Sequence, residues 1–138
     1  MHFTTLYLMK NEKLEDTNIY NIADDFQDRF CYCCGETHPR YKYLCDWFSI
    51  GGRWCDILEA TNGLHGERSW TNREELSDNI HFSVAEICDL TAPIDPKYIY
   101  CVALKSKVIE DQNEIRKYID LINSKKINGV IALIDCHD

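Results

Sequence analysis

Gly129-Val130-Ile131-Ala132-Leu133-Ile134-Asp135-Cys136-His137 is a nearly unbroken apolar run that begins at a glycine and turns polar at its end. Apolar side chains at consecutive positions occupy both faces of a strand, so the run predicts a central, two-sided strand. The opening residues complement it. Phe3, Thr5, Tyr7 and Met9 alternate with Thr4, Leu6 and Leu8, which predicts a strand over residues 2–9. Tyr98 to Leu104 is rich in β-formers and predicts a third.

Two helices punctuate these strands. Ile19, Ile22, Ala23, Phe26 and Phe30 recur at helical spacing, predicting a helix over 18–31 with Asp16 or Thr17 at its start. Asp111 stands three residues before Glu114 and caps a helix whose stripe is Ile115, Tyr118, Ile119 and Ile122. Ser83 and Glu86 share that spacing and predict a short helix to about Leu90; another is expected near Arg73–Leu76. The order β-α-ββ-α-β-α-β gives an α+β fold, a mainly antiparallel sheet with helices packed on one side. At 138 residues the chain reads as one domain over 1–138.

The middle of the chain holds the most unusual chemistry. Cys45-Asp46-Trp47-Phe48-Ser49-Ile50-Gly51-Gly52-Arg53-Trp54-Cys55-Asp56 contains two of the three tryptophans around a double glycine. Bulky residues on both sides of Gly51-Gly52 predict a β-hairpin, since a two-residue turn needs positive φ at both positions. That register places Trp47 and Trp54 diagonally on one face, and Asp46 and Arg53 on the other. Two readings follow. Either the tryptophans form an open surface that stacks on a ring, with Arg53 and the Gly51-Gly52 amides taking an anion, or they are core and Arg53 pairs with Asp46.

Two further groups contain reactive side chains. Cys31, Cys34, His38 and Cys45 could complete a tetrahedral zinc site, although the spacing is irregular and free cysteines are common as small buried hydrophobes; no other cofactor is expected. At the C-terminal end Asp135 and His137 share a strand face and could act as an oriented base, whereas Cys136 points the other way and is no partner nucleophile. His65 and His81 stand isolated, and no nucleotide-binding or hydrolase motif occurs.

A net charge of −8 argues against direct binding of DNA or RNA and of anionic membranes. It is concentrated over residues 12–28 in Glu12, Glu15, Asp16, Asp24, Asp25 and Asp28, which make an acidic surface leading into and along the first helix. Such a surface suits a protein partner that itself binds nucleic acid. No leader and no membrane span is expected, so the eight cysteines are read as reduced thiols in a cytoplasm.

The motif Trp47-x-x-Ile50-Gly51-Gly52-Arg53-Trp54, with a terminal strand ending Asp135-Cys136-His137, resembles a group of small uncharacterised bacteriophage and prophage proteins. The resemblance implies a mobile-element origin but no activity. An inhibitor of bacterial antiviral defence is therefore expected, acting in the host cytoplasm by binding. It would occlude a defence nuclease or guide-RNA complex through the acidic surface. Alternatively it would sequester a nucleotide messenger through Trp47, Arg53 and Trp54 at an interface between copies of the chain. The competing expectation is a small hydrolase or metal-dependent enzyme using Asp135 and His137 near Arg53.

Overall fold

Residues 1–31, 41–68 and 78–138 are described in the computed structural model. Two long strands, β1 (His2–Lys10) and β9 (Gly129–His137), pair antiparallel at the centre of a seven-stranded mixed sheet, from His2↔His137 to Lys10↔Gly129. On the outer side of β1, β7 (Cys101–Leu104) runs parallel to it and β8 (Lys107–Ile109) folds back to close that edge. On the outer side of β9 the partner changes midway. β2 (Trp47–Gly52) pairs with its last residues, and β6 (Val84–Glu86) pairs with its first half, Val130 to Ala132. β4 (Glu67–Arg68) joins the glycine end of β2 in parallel. β3 (Leu58–Glu59) and β5 (His81–Phe82) form a separate two-stranded ribbon.

The α+β class and the mainly antiparallel sheet agree with expectation; the placement of the helices does not. Successive residues of β1 and β9 point to opposite sides. Tyr7, Met9, Ala132, Ile134 and Cys136 pack on α1 (Ile19–Phe30) through Ile22, Phe26 and Phe30. Leu6, Leu8, Ile131 and Leu133 pack on α2 (Gln112–Asn123) through Ile115, Ile119 and Ile122. The helices therefore cover opposite faces rather than one side. A central strand with apolar residues on both faces requires cover on both.

Local differences have local causes. The cap of α1 is Asn18, whose side chain accepts from the Asn21 N–H at 2.9 Å; Asp16 instead ends a 3-10 turn over Leu14–Asp16. Asp111 caps α2 as its spacing requires, accepting from the Glu114 N–H at 3.0 Å. Ser83 and Glu86 do not cap a helix. Val84 and Ala85 lie fully buried in β6, and a 3-10 turn follows over Ile87–Asp89. The Ser83 hydroxyl serves Asp56, and the Glu86 carboxylate accepts from the Leu14 N–H. The third strand begins at Cys101, after a 3-10 turn at Pro96–Tyr98. The helix expected near Arg73–Leu76 lies outside the described residues.

The hairpin is replaced by a different geometry. Gly51 and Gly52 do take positive φ, +92° and +54°, but both belong to β2. The chain then turns tightly, with Trp54 N–H donating to the Gly51 carbonyl at 2.9 Å, and does not return along β2. The edge of β9 takes the place that the returning arm would have filled.

Candidate functional site

The starts of β1 and β2 and the end of β9 meet at one end of the sheet. The registers His2↔His137 and Trp47↔His137 set three aromatic residues abreast on three adjacent strands. Their neighbours Phe3, Phe48 and Cys136 point to the α1 side, so His2, Trp47 and His137 occupy the other face, with Asp135. The Trp47 and His137 rings stack, with centroids 5.2 Å apart and planes 16° apart. The His2 ring stands edge-on to both, 5.5 Å from Trp47 and 5.1 Å from His137.

Each imidazole is held by an aspartate. His2 Nδ1 donates to Asp135 Oδ1 at 2.9 Å, and His137 Nδ1 donates to Asp46 Oδ1 at 2.8 Å. An ionised carboxylate only accepts, so the Nδ1–H tautomer is selected and Nε2 is the ring nitrogen left over. Neither Nε2 has a hydrogen-bond partner among the described residues. The two side chains are 21% and 33% exposed and Trp47 is 43% exposed, so a ligand can reach all three. The hydrogen bond from His137 holds the Asp46 carboxyl below the ordinary carboxylate value, against the smaller opposing effect of burial.

Asp135 is the buried anchor of this cluster, 3% exposed. Its Oδ2 accepts from the Arg53 backbone N–H at 3.0 Å. A Cβ on Gly52 would lie 2.5 Å from the Cβ of Asp135 and closer still to its Oδ2. Glycine at 52 is thus required by the approach of this carboxylate as well as by the positive φ.

The structure joins some of the expected residues and separates others. Trp47, Asp135 and His137 come together, with Gly52 and the Arg53 amide behind them. Asp135 orients His2, however, and His137 takes its orientation from Asp46. The Arg53 side chain is exposed and makes no pair with Asp46. Trp54 does not share a surface with Trp47; it lines a separate cleft of about 480 Å³ with Ile57, Leu58, Pro93, Tyr98 and Leu133. His2 was not expected at all. Pairing the first strand with the last would have revealed it, since His2 alternates with Phe3 as His137 alternates with Cys136.

The other groups resolve differently. His65 and His81 are not isolated: their Nδ1 atoms bond Asp56 at 2.9 Å and Asp78 at 2.8 Å. Asp56 also accepts from Ser83 Oγ at 2.9 Å, and Ser83 is fully buried, so this group ties a loop to β6. The bond from His81, with two backbone N–H donors, draws Asp78 down to about 2. Cys136 faces the α1 core as expected, where burial and the neighbouring Cys45 thiol push its ionisation far up. It is an inert thiol.

For the proposed zinc ligands, Cys31 and Cys45 are brought together in an isolated bridge, while Cys34 and His38 lie outside the described residues. Cys31 is disulfide-bonded, contrary to the expectation of reduced thiols throughout; Cys45, Cys55, Cys88, Cys101 and Cys136 form no disulfide. Among the described residues no group of three or more His, Cys, Asp or Glu side chains gathers around a point that could hold a metal.

The acidic surface is smaller than its sequence. Glu12 pairs with Lys105 at 2.8 Å, and Asp25 turns inward to Tyr7 and Arg29. Glu15, Asp16, Asp24 and Asp28 are exposed. No helix among the described residues is long and apolar enough to cross a membrane. Comparison of the chain with known protein families, curated proteins and solved structures returns no match.

Proposed function

We propose that the chain binds a small phosphorylated ligand of the nucleotide class at the Trp47–His137–His2 end of its sheet. The observation that carries this reading is the stacked Trp47–His137 pair with the His2 ring edge-on beside it, both imidazoles fixed by carboxylates. A tryptophan held flat and left half open is a platform for a base, and such stacking contributes ~1–3 kcal/mol per base. The Nε2 atoms, without a protein partner among the described residues, donate to phosphate oxygens when the rings are protonated.

The net charge of −8 favours a ligand with few phosphates over a nucleic acid, whose dense charge the protein would repel. Together with the resemblance to bacteriophage proteins, this makes the chain a phage-derived inhibitor of bacterial defence that sequesters a nucleotide messenger in the host cytoplasm. Occlusion of a defence nuclease is the weaker reading, because Glu12 and Asp25 of the acidic surface are engaged within the molecule.

The test is a titration of tag-free protein with mononucleotides, linear dinucleotides and cyclic dinucleotides, followed by tryptophan fluorescence. Native mass spectrometry of the protein as purified identifies anything carried along. Saturable quenching by at least one of these, weakened about tenfold or more in Trp47→Ala, is expected. No quenching up to millimolar concentration, or equal affinity in Trp47→Ala, would exclude the reading.

A further inference from the structure

We infer that His2 and His137 are a general acid–base pair that cleaves a ribonucleotide phosphodiester by attack of the substrate's own 2′-hydroxyl. This rests on the nucleotide-binding reading above and adds chemistry to it. Two imidazoles from adjacent strands stand 5.1 Å apart, inclined at 71°, each anchored at Nδ1 by its own aspartate. A carboxylate behind Nδ1 fixes the ring and stabilises the imidazolium that forms when Nε2 takes a proton. Both rings project from the longest strands of the sheet, which supply the rigid support that acid–base geometry requires. Binding a base on Trp47 needs only one of these rings; a second oriented imidazole beside it is what acid–base catalysis needs.

The neighbouring residues narrow the reaction. No serine, threonine or cysteine is hydrogen-bonded to either imidazole among the described residues. Cys136 faces the opposite side of the sheet, and Ser83 is buried against Asp56. Among the described residues the two imidazoles therefore stand as a base and an acid with no protein nucleophile hydrogen-bonded to them. A substrate that carries its nucleophile next to the phosphorus gains the large effective concentration of an intramolecular reaction. The 2′-hydroxyl of a 3′,5′-linked ribonucleotide meets that requirement.

In the step, the neutral imidazole accepts the 2′-hydroxyl proton at Nε2 as the 2′-oxygen bonds to phosphorus. The bond from phosphorus to the 5′-oxygen breaks, and the protonated imidazole gives its Nε2 proton to that oxygen. The products are a 2′,3′-cyclic phosphate and a free 5′-hydroxyl, with no water, oxidant or reductant consumed. The two rings exchange protonation states, and solvent restores them.

The experiment uses tag-free protein with adenylyl-3′,5′-adenosine and with its 2′-deoxy counterpart. Binding is followed by tryptophan fluorescence and products by chromatography. The expected result is binding of both, with adenosine and adenosine 2′,3′-cyclic phosphate released from the ribonucleotide alone. His2→Gln and His137→Gln each lower kcat by about 100-fold or more, while both variants keep the wild-type melting temperature to within a few degrees and still bind the deoxy compound. Trp47→Ala raises KM with kcat largely kept, and Asp46→Asn, which alters a positioning residue, lowers kcat less than loss of the imidazole does. Binding without cleavage overturns the acid–base inference and leaves the nucleotide-binding reading standing. Cleavage of the deoxy compound, or cleavage that survives in both histidine variants, also overturns it. Failure to bind either compound defeats this inference for 3′,5′-linked dinucleotides.

Discussion

The two faces of the central strands end in polar clusters built from the same parts, a carboxylate and an aromatic donor, yet one cluster is closed and the other open. On the α1 side, Tyr7 is fully buried and donates its hydroxyl to Asp25 Oδ2, while Arg29 Nε donates to Asp25 Oδ1 at 2.9 Å. Arg29 also donates to the Lys105 carbonyl at 2.6 Å. Both Asp25 oxygens are spent inside the molecule. On the other side, Asp135 and Asp46 hold two imidazoles whose second nitrogens have no hydrogen-bond partner among the described residues. A closed network contributes to stability, whereas donors held in place without a partner are available to a ligand.

The largest expected effect comes from breaking the anchor behind the open cluster. Gly52→Ala drives a methyl group into Asp135 at a positive φ and should cost about 3 kcal/mol, read by chemical denaturation. A variant as stable as the parent would show that Asp135 is not held against this turn. Next comes the closed network. Tyr7→Phe leaves Asp25 without one donor and should cost ~1–3 kcal/mol.

The same pair sets the pH limits of that contribution. Burial alone would raise Asp25, but the hydrogen bonds from Tyr7 and Arg29 outweigh it and hold the carboxyl below its ordinary 3.8. Its contribution is therefore full above that value and lost as pH falls below it. Burial, then the bond to Asp25, hold the Tyr7 hydroxyl above its ordinary 10.0, so its contribution is full below that value and lost as pH rises beyond it. Denaturation curves between pH 3 and 11 should show the alkaline decline shrink in Tyr7→Phe; an unchanged alkaline limb would contradict the buried bond.

The open cluster should behave oppositely. His137→Gln removes half of a partly exposed pair and should change stability by less than ~1 kcal/mol while weakening nucleotide binding. The smallest effect is expected on the acidic surface. Glu15→Lys with Asp24→Lys should shift stability by under ~0.5 kcal/mol and leave nucleotide affinity nearly unchanged. A strong, salt-sensitive loss of inhibition in that double variant would favour a basic protein partner over the nucleotide.

Much of the frame is legible in the sequence because its signals are local. β9 matches the apolar run residue for residue, β1 extends the alternating segment by one, and both helices fall within their apolar periods. The double glycine misleads because its positive φ is real while its cause is remote. It accommodates Asp135, 83 positions later, rather than a reversal of the chain. His2 escapes notice for the same reason: the carboxylate that orients it is 133 residues away, and only the β1–β9 pairing joins them. Ser83 and Glu86 have the spacing of a helix cap, yet the free edge of β9 offers Val84 and Ala85 deeper burial in a strand.

The most direct test of the open cluster is one equilibrium titration of the 2′-deoxy dinucleotide against wild type and Trp47→Ala, with melting temperatures measured on both. The structural account expects saturable binding that Trp47→Ala weakens about tenfold or more at an unchanged melting temperature. Binding of equal strength in the two proteins, or none up to millimolar ligand, would contradict it.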